Sequence, residues 1–335
     1  MCSAWELLLL PTLSDPINTT GTVSRHPFQS DRPRRGRSLL LPCALLCLGM
    51  LCPRARAQIY VAEFGSGSIG EFNTDGTTVN ASLVTGLNGA GSVAVGGSDL
   101  FATNAFGGTV GEYDAATGAT VNAALITGPG GFADPNFVTV AGSNVYVTNE
   151  STGTIGEYTT GGATVNAALV SGLNSPFGLA VSGSDLWVAN GGVIGEYDAT
   201  TGAAVATALV SGFTNPIGVA VFGSDLYVTD AAAGTIGEFN AFTGAAINAS
   251  LVSGLNSPVS VAVLGADLFV SNQGAGTIGE YDATTGAVVN AALVTGLSGP
   301  SGLTVAGVPE PSSWAALAGL TGLGFALLRR RRSGA

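Results

Sequence analysis

A tetrapeptide recurs six times along this chain. It reads Ile69-Gly70-Glu71-Phe72, Val110-Gly111-Glu112-Tyr113, Ile155-Gly156-Glu157-Tyr158, Ile194-Gly195-Glu196-Tyr197, Ile236-Gly237-Glu238-Phe239 and Ile278-Gly279-Glu280-Tyr281. Successive glutamates are 41, 45, 39, 42 and 42 residues apart. A period near 42 makes each repeat one supersecondary unit that buries its apolar face only against its neighbours. Solenoids and closed rings both satisfy that condition.

The strand signals within one repeat favour a ring. Four short β-like runs, here called a, b, c and d, are separated by Gly, Asp, Asn or Ser. In one copy they are Phe177 to Val181, Leu186 to Asn190, Val193 to Tyr197 and Ala203 to Val210. Runs of about five residues between such punctuation predict antiparallel strands. The c–d connection, Asp198-Ala199-Thr200-Thr201-Gly202, returns as Asp282 to Gly286 and nearly as Asp114 to Gly118. Asp bonds its own backbone there, and Gly takes the left-handed conformation that closes a hairpin. The d run is Ala-rich, but its Val and Thr content and flanking Gly favour a strand.

The phase of the repeat is decisive. The repeating body starts at a b run, Ile59-Tyr60-Val61-Ala62, and ends at an a run, Gly302-Leu303-Thr304-Val305. A ring uses this offset, because the last strand completes the first unit and removes two exposed edges. The expected fold is all-β: a six-bladed β-propeller of four-stranded blades, closed by a C-terminal strand pairing into blade one. An N-terminal signal helix and a C-terminal transmembrane helix are expected outside it. The corresponding domains are 1–57, 58–307 and 308–335.

Charge is segregated. The chain has no Lys, and its 11 Arg lie at 25–56 and 329–332, outside the body. The one His is His26, and the four cysteines are Cys2, Cys43, Cys47 and Cys52, also outside. Of the 22 acidic residues only Glu6, Asp15, Asp31 and Glu310 lie outside 58–307, which leaves 18 within it. Nucleic-acid binding needs cations against phosphates, and the body has none. Salt bridges within the body are impossible, so its carboxylates are solvated, hydrogen-bonded or held by metal ions. Disulfides, thiol nucleophiles, Ser–His–Asp triads, Schiff-base lysines and His/Cys zinc sites are excluded from the body for want of the residues.

Both ends read as addresses. Arginines precede the apolar run Leu39 to Cys52, and Ala55-Arg56-Ala57 offers a small-x-small cleavage site before Gln58. That is the pattern of a secretory signal peptide. At the other end Pro309-Glu310-Pro311 precedes the apolar run Trp314 to Leu328 and then Arg329, Arg330, Arg331 and Arg332. Fifteen helical residues span roughly 22 Å, a short membrane crossing, and the arginines would stay cytoplasmic. This tail resembles the PEP-CTERM sorting signal of Gram-negative bacteria. The resemblance implies recognition by an exosortase, cleavage near Pro-Glu-Pro, a membrane-held stage before processing, and delivery to the cell surface or an exopolysaccharide matrix.

Within the body, Leu226-Tyr227-Val228-Thr229-Asp230 resembles NHL repeats. Ile155 to Gly161 and Leu186-Trp187-Val188 resemble the streptogramin (virginiamycin B) lyase family. The resemblance implies a propeller, but the lyase activity needs histidines that the body lacks. Carboxylate chemistry remains. A calcium-dependent lactonase of the gluconolactonase type would draw on the residues ending each b run: Glu63, Asn104, Asn149, Asn190, Asp230 and Asn272. Their repetition in every blade favours turn chemistry instead. The six motif glutamates, Glu71, Glu112, Glu157, Glu196, Glu238 and Glu280, face the same way as the Ile or Val two residues earlier. They invite either hydrogen bonds from one blade to the next or a set of Ca²⁺ sites. The expectation is a non-enzymatic binding propeller without a resident cofactor, presented to an exopolysaccharide or another surface protein.

Overall fold

The computed structural model describes residues 57–127 and 134–307. The expected signal peptide and sorting tail, from Ala55 to the arginines 329–332, lie outside the described residues, apart from Ala57. No helix among the described residues is long and apolar enough to cross a membrane.

Twenty-four strands form six four-stranded antiparallel sheets. Blades 2 to 6 each run a, b, c, d in chain order. Blade 1 takes strands b, c and d from Ala57–Glu63, Ser68–Asn73 and Thr78–Val84, and its strand a is the C-terminal Pro300–Gly307. That strand pairs antiparallel with Ala57–Glu63, from Ala57 opposite Gly307 to Glu63 opposite Pro300. The closure read from the repeat's phase is therefore present. Ala57, expected as the last residue before cleavage, is the first residue of this pairing.

The six a strands pack side by side around the axis, and the d strands form the perimeter. Each hydrophobic cluster spans an interface between blades rather than a blade interior. Ile59, Val61 and Phe72 of blade 1, for example, pack with Phe269, Ile278 and Val294 of blade 6. Face-to-face sheets bury apolar area that no blade buries alone.

The tetrapeptide now has a packing account. Its Ile or Val is fully buried in all six copies. Its aromatic ring folds back over the Gly two residues earlier, so a Cβ added at Gly70, Gly111, Gly156, Gly195, Gly237 or Gly279 would lie 2.6–2.8 Å from ring atoms. Gly is required here by close approach of a ring, not by backbone conformation. The c–d turns need Gly for both reasons. Gly202 has φ +71°, and an added Cβ would meet the Leu169 carbonyl of the preceding blade. In that turn Asp198 Oδ1 accepts the Thr200 and Thr201 N–H groups at 3.0 and 2.7 Å.

A second link between blades starts on strand b. Tyr60, Tyr146 and Tyr227 donate their hydroxyls to the carbonyls of Ala115, Ala199 and Ala283 in the next blade, at 3.3, 3.2 and 3.2 Å. Trp187 Nε1–H reaches the Ala241 carbonyl at 2.9 Å. The equivalent residues Phe101 and Phe269 carry no donor. They face blades 3 and 1, whose c–d turns close from Thr159 to Ala163 and from Asn73 to Thr77, one residue tighter than the others. The residues without a donor thus face the two shorter turns.

The d strands are exposed edges without a single charge. A bulge interrupts each where it meets strand c. In five blades an Asn at that bulge accepts the N–H two residues on, as Asn80 does from Ser82 at 3.1 Å. Bulges and internally satisfied N–H groups blunt an edge that would otherwise template pairing.

Two substitutions test these devices. Gly195→Ala should cost about 1–3 kcal/mol by overpacking against the Tyr197 ring, and combining it with Tyr197→Ala should be less than additive in denaturant unfolding. Tyr227→Phe should cost about 1–3 kcal/mol by stranding the Ala283 carbonyl, whereas Phe101→Tyr should gain no stability.

Candidate functional site

The six motif glutamates do not converge. Each sits on strand c of its own blade, two strands removed from the axis. Their surroundings are set by cross-strand register. Each lies directly opposite a strand-b aromatic: Tyr60, Phe101, Tyr146, Trp187, Tyr227 or Phe269. Glu71, Glu157, Glu196 and Glu238 are buried, and Glu112 and Glu280 half-buried. The hydrogen bonds seen for them stay inside the blade. Glu157 accepts from Asn144 Nδ2 at 2.7 Å and shares the one Tyr146 hydroxyl hydrogen, at 3.3 Å, with the Ala199 carbonyl. The links from blade to blade come instead from the aromatics and from strand-b hydroxyls. Thr103, Thr229 and Ser271 each accept an N–H of their own strand a and donate to the Asn136, Val259 and Ser301 carbonyls of the next one. Sequence pattern alone does not expose these partners, because they depend on which strand position faces which.

Burial without cations shows in the titration of these groups. Burial raises Glu71, and the Tyr60 hydroxyl offsets part of that rise. Burial raises Glu112, Glu196, Glu238 and Glu280, and in each an aspartate at the start of strand b (Asp99, Asp185, Asp225 or Asp267) raises it further. Burial, followed by the neighbouring Glu71 or Glu238 carboxylate, pushes Tyr60 and Tyr227 up to about 12. Three aspartates move the other way. Asp114, Asp198 and Asp282 are lowered, first by the hydroxyl of the turn threonine three residues on.

The residues ending strand b pin the d–a loop that precedes their own blade. Asn104 accepts the Asn88 N–H at 2.8 Å, Asn190 the Asn174 N–H at 2.6 Å, and Glu63 the Ser298 N–H at 2.7 Å. Asp230 accepts three N–H groups, from Thr214, Asn215 and Ala233. Asn149 and Asn272 are buried with Oδ1 unpartnered. Blade 3 departs further. Asn136 Nδ2 donates to Glu150 at 2.5 Å, and burial raises Glu150 and Asp134. Among the described residues no three His, Cys, Asp or Glu side chains form a group able to hold a metal ion.

The axis holds a cavity of about 230 Å³, lined by the a strands. Its lining residues are valines, leucines and alanines with Phe137, Ser92, Thr139, Ser260 and Thr304. No lining residue is ionisable. This wall can exclude or weakly hydrogen-bond a small molecule, but it offers no acid, base or nucleophile pair.

No protein-family model matches the chain, and no curated protein matches it. Solved structures do. A chain in the crystal structure of a nidogen–laminin complex superposes with a TM-score of 0.62 at 14% identity, over 75% of this chain and 99% of that one. A computationally designed protein, Ika8, aligns over 73% of this chain and 74% of its own with a TM-score of 0.47 and 18% identity. The nidogen–laminin likeness supports the propeller fold; at that identity it speaks of fold alone.

The raised carboxyls predict an unusual pH profile. A raised carboxyl destabilises the folded state wherever it is ionised. That cost is relieved as pH falls through its folded value toward the ordinary 4.5. The lowered turn aspartates contribute stability above their ordinary 3.8, and it is lost as pH falls below that. The melting temperature should therefore rise from pH 7.5 toward about 5 and fall again below about 4. A monotonic fall on acidification would contradict the burial of these glutamates.

Proposed function

We propose that this protein is exported and directed to the surface or extracellular matrix of a Gram-negative bacterium, where its propeller acts as a non-enzymatic binding module. The observation that carries the reading is the partition of chemistry along the chain. Residues 58–307 contain no His, Cys, Lys or Arg, whereas every arginine lies in the leader and the tail. A body so composed has few routes to nucleophilic or general acid–base catalysis. The two ends have the composition of addresses.

In this reading the leader is cleaved after Ala57. Pro309-Glu310-Pro311, the apolar run and Arg329 to Arg332 then hold the chain in the membrane until an exosortase processes it. The partner is an exopolysaccharide or another surface protein, met by loops at the ends of the blades. The turn roles of the strand-b-ending residues support binding over a lactonase-like reaction, because four of the six are committed to loop N–H groups.

Expression in a Gram-negative host with and without an exosortase tests the address. The C-terminal tail should be removed only when the exosortase is present, and Pro309→Ala with Pro311→Ala should block removal. A glycan array and surface-protein pull-down with the processed protein test the binding role. Tail retention in both hosts would remove the sorting reading, and turnover of a lactone panel would remove the non-enzymatic one.

A further inference from the structure

Blade 5 breaks the surface pattern of the repeat at two neighbouring turns. The last pleated position of strand a carries Gly96, Ala141, Ser182, Phe222, Leu264 and Ala306 in blades 2, 3, 4, 5, 6 and 1. The third residue of the longer c–d turns is Ala116, Thr200, Phe242 or Thr284. Blade 5 alone has phenylalanine at both places. Phe222 is 50% exposed and Phe242 57%.

These rings stand on fixed backbone. Phe222 and Asp225 are direct cross-strand partners at the a–b hairpin. The neighbouring c–d turn is tied to that hairpin by Ala241 N–H to the Ser224 carbonyl at 2.8 Å, and Phe242 N–H is held by Asn240 Oδ1 at 3.1 Å. Leu264, 37% exposed, occupies the same position on the adjoining a strand and pairs with Asp267. Adjacent apolar side chains kept in water on a hydrogen-bonded backbone are a mark of recognition surfaces. Phe106 is also exposed, but it stacks edge-on to Phe64 with centroids 5.4 Å apart, at the opposite end of the blades.

The electrostatics of this end select the partner. The a–b and c–d turns share it, and eight aspartates lie either at the starts of b strands or in c–d turns. Residues 58–307 supply no cation to balance them. We propose that Phe222, Phe242 and Leu264 form a docking platform for a cationic protein segment, whose apolar side chains cover the rings and whose Lys or Arg groups meet Asp225 and Asp267. This deepens the binding reading above and rests on it. A protein segment fits better than a sugar because the platform joins an aliphatic residue to two phenylalanines and a one-signed rim, which rewards charge as well as apolar contact.

The repeat itself supplies the test variant. Phe222→Ser with Phe242→Thr installs the residues that blade 4 carries at those positions, Ser182 and Thr200. The melting temperature of the full chain should therefore stay within about 2 °C. The probes are short fluorescent peptides alternating Lys with Leu, Lys with Ser, and Glu with Leu. The Lys–Leu peptide should bind the native protein, weaken in high salt, and lose at least about ten-fold in affinity for the double variant. Equal binding to both proteins overturns the platform. So does equal binding of Lys–Ser and Lys–Leu, tighter binding of amino-sugar oligomers, or no binding of any peptide. The array and pull-down with the processed protein remain a separate readout for the broader binding role.

Discussion

The pairing of Pro300–Gly307 with Ala57–Glu63 is the contact on which the rest of the ring depends. Every hydrophobic cluster lies between blades, so each blade needs two neighbours to bury its faces. In an open row the first and last blades would each leave one face in water. Closing the loop entropically costs only a slowly growing term in chain length. It removes two exposed faces and two strand edges at once. The short pairing of the two ends therefore holds together contacts far from itself, including the aromatic and hydroxyl links around the ring.

The architecture was legible because its signals are local and repeated. The tetrapeptide marks strand c, the Asp-x-x-Thr-Gly turns mark its end, and the phase at Ile59 and Val305 reveals the closure. Strand d was harder to read, since its alanines suit a helix and its boundary is a bulge. The surroundings of the glutamates were not legible. They depend on register, which places Glu157 opposite Tyr146 and within reach of Asn144. Nor did the pattern show why Gly195 must be Gly. That follows only once the Tyr197 ring is seen to lie across it. At the strand-b ends, repetition across blades pointed correctly to turn chemistry for Asn104, Asn190 and Asp230, while Asn149 and Asn272 keep an oxygen that pattern gives no reason to expect.

A body without cations solves its electrostatics in two ways. At the turns, aspartates such as Asp198 are stabilised by N–H and O–H donors at the surface, where solvent does much of the work. Within the sheets the glutamates lie opposite strand-b aromatics without a counter-ion, and Glu157 takes its hydrogen bonds from Asn144 and Tyr146 of its own blade. The first arrangement favours neutral pH and the second favours mild acidity. The two sets of shifts therefore pull stability in opposite directions on the acid side of neutrality.

The phenylalanines at 101 and 269 carry a consequence for how such a chain can be rearranged. Each stands where the following blade has the shorter c–d turn, so the donor on one blade and the acceptor loop on the next vary as a unit. The unit that has to stay matched is therefore not the blade but the joint, running from strand b of one blade to the c–d turn of its successor. Exchanging single blades would set a tyrosine hydroxyl against a shorter turn, or leave a longer turn's carbonyl facing a phenyl ring. Successive joints overlap, because strand b of each blade precedes that blade's own c–d turn, so an exchanged segment has to match its neighbours in donor at one end and in turn length at the other.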